Sequence, residues 1–306
     1  MSLKNKFKEF KKNPKLLFVY LLHRCVTIVP EKLFVEIKYF CCIGKKINLN
    51  NPRTFNEKLN WLKLYNKNPF YTSLVDKYAV KDFVAKTIGD EYVIPTLGVW
   101  DTFDDIDFSK LPNQFVLKTT HGGGNLGVVI CKNKTIFDIV KAKRILNKSL
   151  SADSFKLTKE WPYKNVKRRI IAESFISDGS ENYDLMDYKF FCFDGVVKIL
   201  YVASGRQKRE EPYFDFYDDN FNHLDVRQAH PNSPHRIEKP NNFDKMKELA
   251  SSLSKGFPFI RVDLYNVNGK IYFGELTFFH MGGIVPFKPD TIDEEWGNLI
   301  NLPRKW

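Results

Sequence analysis

The chain has 306 residues, 43% hydrophobic and 27% charged, which is enough to bury a sizeable core and excludes a disordered or fibrous protein. Its formal charge of +12 is uneven: residues 1–50 carry eleven Lys/Arg against three Glu, a balance of +8, and the remainder only +4. That distribution argues against a nucleic-acid surface spread over the whole protein.

Leu3 to Pro14 reads as a short basic helix or a frayed end, and Leu16 to Ile28 as an apolar helix. Lysines at anionic headgroups with apolar side chains beneath them would make this a membrane-surface anchor. His23 and Arg24 interrupt the apolar run, which favours a helix packed on its own domain. The same break argues against a secretory leader or a spanning helix, which needs about 20 unbroken apolar residues. Cys25, Cys41, Cys42, Cys131 and Cys192 form no CxxC pair and are odd in number, as in a reducing compartment. The expected location is cytoplasmic, with residues 1–50 able to meet the inner face of the cell membrane.

Asn51-Pro52 signals a turn, and Thr54 with Glu57 makes a capping box for a helix through Tyr65. A second helix is expected over Leu74 to Ile88, with Asp76-Lys77 near its start and Lys77 read as solvated. Tyr92 to Trp100 reads as a strand bent at Pro95, and Thr102 to Pro112 as an acidic turn region. Its Asp105-Ile-Asp107 has the form of a sugar-nucleotide DxD, although two acids in a polar loop are usually just solvated.

Gln114 to Ile130 reads as strand, glycine loop, strand. Lys118 ends the first strand, and Gly122, Gly123 and Gly124 follow. Such glycines let backbone N–H groups approach a phosphate chain without Cβ interference, and Lys118 adds a point charge. No GK[ST] follows and the pattern after the loop is not helical, so neither a Walker A loop nor a dinucleotide fingerprint is present. A hairpin with a loose loop is the alternative.

Ile136 to Ser149 reads as a helix, Trp161 to Arg168 as a polar connection, and Arg169 to Ile176 as a strand ending in a hinge. Asp187 to Phe193 and Val196 to Val202 form a hairpin around Asp194-Gly195. The charged loop containing Arg206 to Arg209 reads as solvated or as a substrate-binding lid. His230 and His235 lack the companions a zinc site needs. After a helix at Phe243 to Leu253, Phe259 to Tyr265 and Lys270 to Phe278 form a second hairpin around Asn268-Gly269. On its strands Arg261 and Asp263 share a face, as do Glu275 and Thr277. Charges gathered this way are costly to bury unless paired or bound to metal, and Mg²⁺ with phosphates suits two carboxylates.

The order of motifs resembles the ATP-grasp superfamily, and within it the teichuronopeptide-biosynthesis (TupA-like) family, from about Asn51 to the C-terminus. The carriers are NPRTFNEKLNWLK, DKYAVKDFV, IPTLGVWD, FVLKTTHGGG, DYKFFCFDG, FPFIRVDLY and YFGELTFF. The resemblance implies an α+β fold, two α+β subdomains gripping ATP after a basic helical N-terminal region. The corresponding divisions are 1–50, 51–90, 91–172 with the glycine loop, and 173–306 with the metal-binding hairpin. It implies that Lys118 contacts ATP phosphates, that His121 to Gly127 covers them, and that Lys77 is a further ATP contact. Glu173, Phe175 and Ile176 would form the hinge around adenine and ribose, and Lys189 would reach the nucleotide. Asp263 and Glu275 would hold Mg²⁺, and Arg261 would lie by the transferred phosphate and the reacting carboxylate. Thr277 stands where many superfamily members have Asn, which leaves its part in metal binding open.

The implied activity is an ATP- and Mg²⁺-dependent carboxylate–amine ligase of surface-polysaccharide assembly. Its substrates would be a uronic-acid or amino-acid carboxylate and an amine acceptor on a glycan, with no nucleic acid involved. A sugar kinase, a glycosyltransferase of the same pathway and a non-enzymatic basic module remain alternatives.

Overall fold

The structure, a computed structural model, describes residues 15–123, 127–179, 185–205 and 211–304. Four features of the sequence therefore lie outside the described residues: Leu3 to Pro14, Gly124, Arg206 to Arg209 and Trp306.

Helices α1 (Lys15–Arg24) and α2 (Glu31–Ile43) bury Leu22, Val26 and Phe34 between them. The sequence pattern did not announce α2. It begins straight after Pro30, which has no N–H to lose, and ends at a left-handed Gly44. Helix α3 (Phe55–Tyr65) starts at the expected capping box: Thr54 Oγ1 accepts from the Glu57 N–H at 3.2 Å, and Glu57 Oε2 accepts from the Thr54 N–H at 3.2 Å.

The helix expected over Leu74 to Ile88 is instead two, α4 (Tyr71–Val75) and α5 (Val80–Ile88). Asp76 Oδ1 accepts from the N–H groups of Tyr78 at 2.8 Å and Ala79 at 3.2 Å, offering the backbone an alternative to helical pairing. The apolar pattern runs through the break because Leu74, Val75, Val80 and Val84 all enter one core.

Strands β1 (Thr96–Trp100), β2 (Phe115–Thr119), β3 (Val128–Cys131) and β4 (Ile170–Ser174) form an antiparallel sheet in the order β1-β4-β2-β3. Alternation along the strands sends Phe115, Leu117, Ile170 and Ala172 into a core with Ala142 and Leu146 of α6 (Ile139–Leu150). The opposite face carries Val116, Lys118 and Glu173. A short α7 (Ser154–Thr158) follows α6.

The second antiparallel sheet contains β5 (Asp187–Phe193), β6 (Val196–Ser204), β7 (Tyr213–Asp218) and β8 (His223–Leu224). Beyond α8 (Phe243–Leu253) it adds β9 (Ile260–Val267) and β10 (Lys270–Thr277), and its order is β10-β9-β5-β6-β7-β8. Both two-residue turns, Asp194-Gly195 and Asn268-Gly269, have positive φ at each position, as the right-handed twist of hairpin strands requires.

One face of this sheet packs on α8, with Phe190 6.0 Å from Phe243 between ring centres. On the other face Phe191 meets Phe55 of α3 at 5.8 Å and Trp296 of α9 (Thr291–Gly297) at 5.7 Å. The core of the six-stranded sheet thus takes in residues from Val35 to Val84 as well as the C-terminal strands. Among the described residues no helix is long and apolar enough to cross a membrane.

Candidate active site

A cavity of about 780 Å³ lies between the two sheets. On the four-stranded side its wall is Val116, Lys118, Val128, Ile130 and Glu173. Ser174, Phe175 and Ile176 continue it where the chain leaves β4 for the second sheet. On the six-stranded side antiparallel register sets the rows: Tyr201 opposite Lys189, Lys189 opposite Asp263, and Asp263 opposite Glu275. Arg261 and Asp187 sit on the same face, one row to either side. Among the described lining residues four are basic (Lys77, Lys118, Lys189, Arg261) and four acidic (Glu173, Asp187, Asp263, Glu275).

The row holding both carboxylates depends on an irregularity. In β10 the buried positions are Ile271 and Phe273, then Leu276, so the alternation changes phase between Phe273 and Glu275. Gly274 is the extra residue: Phe273 pairs with Leu264 and Glu275 with Asp263, the next residue along β9. In regular pairing Gly274 would oppose Asp263, and Glu275 would oppose the core residue Val262. A β-bulge carries Glu275 and Thr277 onto the face of Arg261 and Asp263.

These charges neutralise one another. Arg261 Nε donates to Asp263 Oδ1 at 2.6 Å and Nη2 to Oδ2 at 2.7 Å, a bidentate pair. Lys189 bonds Asp263 Oδ2 and also lies 2.6 Å from Asp187 Oδ2. Burial alone would raise the Asp263 pKa, but Arg261 and Lys189 outweigh it and hold the carboxyl below its ordinary value. Burial works against the Lys189 charge too, yet Asp187 and Asp263 raise its pKa above the usual lysine value.

Across the cavity Glu173 binds Lys118 through Oε2 and Lys81, at 2.8 Å, through Oε1. Burial opposes its ionisation as well, and the two ammonium groups keep it below the ordinary glutamate value. Lys81 is a contact that the sequence did not show, because in the helix expected over Leu74 to Ile88 it looked like any solvated lysine; it is the second residue of α5.

Lys77, read as solvated from its surroundings in the sequence, is held at the glycine loop. Its Nζ donates to the Gly122 carbonyl at 2.5 Å and its backbone N–H to the Thr120 carbonyl at 3.0 Å. Gly122 is buried beneath that contact and Gly123 is exposed. His121 is turned away from the cavity, its Nε2 3.1 Å from the Ser149 carbonyl in the last turn of α6. Burial and then Arg168 lower its pKa.

Thr277 stands beside the carboxylates. Its hydroxyl accepts from Arg261 Nη2 at 3.0 Å and donates to Glu275 Oε1 at 3.0 Å. The turn that follows β10, His280–Gly283, is clamped from α3: Lys63 Nζ donates to the Gly282 carbonyl at 2.6 Å and Asn60 Nδ2 to the Gly283 carbonyl at 2.7 Å. Burial pulls the Lys63 pKa down to about 8. His280 is fully buried against Arg261, a contact that the sequence showed only as a histidine in a loop.

The donor set fits a magnesium ion. Asp263 and Glu275 face each other on adjoining strands as hard oxygen ligands, and Asp263 is held ionised. Among the described residues no group of three or more His, Cys, Asp or Glu could hold a metal. A pair of carboxylates suits a cation that takes its other ligands from water and phosphate.

Solved structures with a related shape include a D-alanine-D-alanine ligase from Helicobacter pylori (16% identity, TM-score 0.42, covering 81% of this chain and 66% of that one). The biotin carboxylase-beta-gamma-ATP complex from Campylobacter jejuni has 14% identity and a TM-score of 0.42, with 76% of this chain and 47% of that one covered. The ATP-grasp ligase PsnB, complexed with minimal precursor, Mg and ADP, has 13% identity and a TM-score of 0.37, with 72% and 57% covered. This chain spans less than two thirds of the length of each of these three structures. No curated protein matches the chain. A family model described as TupA-like ATPgrasp matches residues 57–301, most of the chain, and the protein belongs to that ATP-grasp family.

Proposed function

We propose that the protein is an ATP- and Mg²⁺-dependent carboxylate–amine ligase. The observation that carries this reading is the facing of Asp263 and Glu275 within a cavity also lined by Lys118, Lys189 and Arg261. Apolar Val116, Val128, Ile130, Phe175 and Ile176 offer a slot for a planar base, and the basic side chains suit the phosphates. Lys118 and Lys189 bind the phosphate chain, Lys77 fixes the loop that closes over it, and Glu173 and the backbone of Phe175 and Ile176 hold the nucleoside. Asp263 and Glu275 would hold Mg²⁺, which supplies charge neutralisation at the phosphate oxygens. Thr277 orients Glu275 through its hydroxyl.

In the reaction a substrate carboxylate oxygen attacks the γ-phosphorus and ADP leaves, giving an acyl phosphate. An amine nitrogen then attacks the acyl carbon, inorganic phosphate leaves, and the amine loses a proton as the amide forms. The protein contributes positioning and charge stabilisation rather than a covalent nucleophile. Family membership supports a uronic-acid or amino-acid carboxylate and an amine on a surface glycan, acted on at the cytoplasmic face. The exposed Phe18, Leu21 and Phe40 within the basic region support peripheral membrane contact there.

Calorimetric titration of ATP–Mg²⁺ into the wild type and into Asp263→Asn/Glu275→Gln tests the site. Binding lost in the variant is the expected result, and a wild type that binds no ATP overturns the reading. A panel of uronic and amino acids with amine acceptors, followed by free phosphate release, then separates a ligase from a kinase, which would leave phosphate on its product.

A further inference from the structure

Arg261 is held by more than its carboxylate. A guanidinium has five N–H bonds. Nε and Nη2 donate to the two oxygens of Asp263, and the second Nη2 proton goes to Thr277 Oγ1. Nη1 lies 2.9 Å from His280 Nδ1. Because arginine only donates, Nδ1 must accept, so the proton of the neutral imidazole is on Nε2. Nε2 is 2.7 Å from Gln228 Oε1, an acceptor, and the Gln228 amide is fixed in turn because its Nε2 donates to the Val285 carbonyl at 2.9 Å. The chain of donors and acceptors is consistent from Val285 to Arg261.

We infer that His280 and Gln228 are positioning residues, which lock the Arg261 guanidinium so that its one remaining Nη1 proton is presented to the transferred phosphoryl group. Among the described residues four of the five Arg261 N–H bonds have protein partners, and Arg261 lines the cavity. The imidazole cannot swing away. It is fully buried, with the rings of Phe191, Tyr201 and Phe55 at 4.6, 5.6 and 6.4 Å. Gln228 lies 52 residues before His280 and is itself buried. Neither residue lines the cavity, so neither acts on substrate directly.

The inference rests on the nucleotide reading of the cavity, and its test has one arm free of nucleotide. In the ¹⁵N spectrum of histidine-labelled protein without ligand, His280, assigned by its loss in His280→Asn, should be neutral and protonated on Nε2. Gln228→Leu should perturb that signal. A charged His280, or one protonated on Nδ1, overturns the inference whatever the cavity binds.

The second arm compares ADP and AMP-PNP affinities, each with Mg²⁺. His280→Leu should leave ADP binding unchanged and lower the preference for the γ-phosphate about tenfold, the scale of one charged hydrogen bond. His280→Asn, whose amide oxygen can take the place of Nδ1, should recover part of it. If His280→Leu binds both nucleotides as the wild type does, the inference fails while the nucleotide site stands. A wild type that binds neither nucleotide removes the site itself.

Discussion

Glu275 stands directly across from Asp263, and the two meet because Gly274 adds one residue to β10. The bulge also brings the strands close: a Cβ at Gly274 would lie 3.1 Å from the Asp263 carbonyl oxygen and 3.2 Å from Tyr265 Cε2. Gly274→Ala should therefore force a small shift and cost about 1–3 kcal/mol, the range for overpacking. Denaturant unfolding measures that loss. Deleting Gly274 should put Glu275 on the core face, and ATP–Mg²⁺ titration should then show no binding even where the protein still folds.

Removing the Asp263 carboxylate leaves Arg261 and Lys189 buried with less compensation. Asp263→Ala should destabilise by about 3–5 kcal/mol, the cost of breaking a buried pair from one side. Asp263→Asn retains some acceptor capacity and should cost less. Negligible loss in both variants, measured by thermal unfolding, would show that the ion pair contributes little to the fold.

Lys118 shares Glu173 with Lys81, so its loss does not leave that carboxylate alone. Lys118→Met should thus change stability little and nucleotide affinity greatly, by about 1.5–3 kcal/mol or roughly ten- to a hundredfold. Lys81→Met should show a smaller effect on affinity, since its ammonium does not line the cavity. Calorimetry on both variants checks the ranking.

Stability should fall in two stages as pH drops. Burial, with Arg261 and Lys189 nearby, holds the His280 pKa well below the ordinary histidine value. Unfolded, the same imidazole takes up a proton near pH 6.5, so below that pH the unfolded chain binds a proton that the folded one does not. This histidine alone should contribute a slope of about 1.4 kcal/mol per pH unit below about 6.5 and none above it. His23 and His121 are shifted in the same direction. The second stage follows below about pH 4, where the depressed carboxyls of Glu173 and Asp263 lose their folded-state advantage. Urea unfolding from pH 4.5 to 8 should show a shallower slope for His280→Asn than for the wild type, by one proton.

Much of the architecture was legible locally. Alternation in Phe115 to Lys118, the Asp194-Gly195 and Asn268-Gly269 turns and the Thr54–Glu57 capping box all depend on neighbours in sequence, and the structure contains each of them. The gathering of Arg261, Asp263, Glu275 and Thr277 on one face was anticipated. The bulge behind it was written in the phase change from Ile271 and Phe273 to Leu276 and Phe278, which was not recognised. Asp76 was taken as part of a helix because apolar spacing continues across it, and its side-chain capping is stronger than that pattern suggests. Lys81 and Gln228 could not be found from sequence, since their significance comes from Glu173 and His280, many residues away. His121, beside the glycines, looked like part of the loop chemistry, yet its ring belongs to the packing against α6.

The even charge lining of the cavity bears on which anions can enter. Among the described residues four cations and four anions line the cavity and together exert little net pull on a bare polyphosphate at a distance, and the Glu173 carboxylate already occupies the Lys118 ammonium. A phosphate chain gains most when it arrives with its own divalent counterions, because it then displaces no charge and only re-pairs what is there. Affinity for the metal–nucleotide complex should accordingly change little between low and physiological ionic strength. Free tripolyphosphate should bind weakly at any salt concentration, so that the cavity discriminates by pairing rather than by attraction.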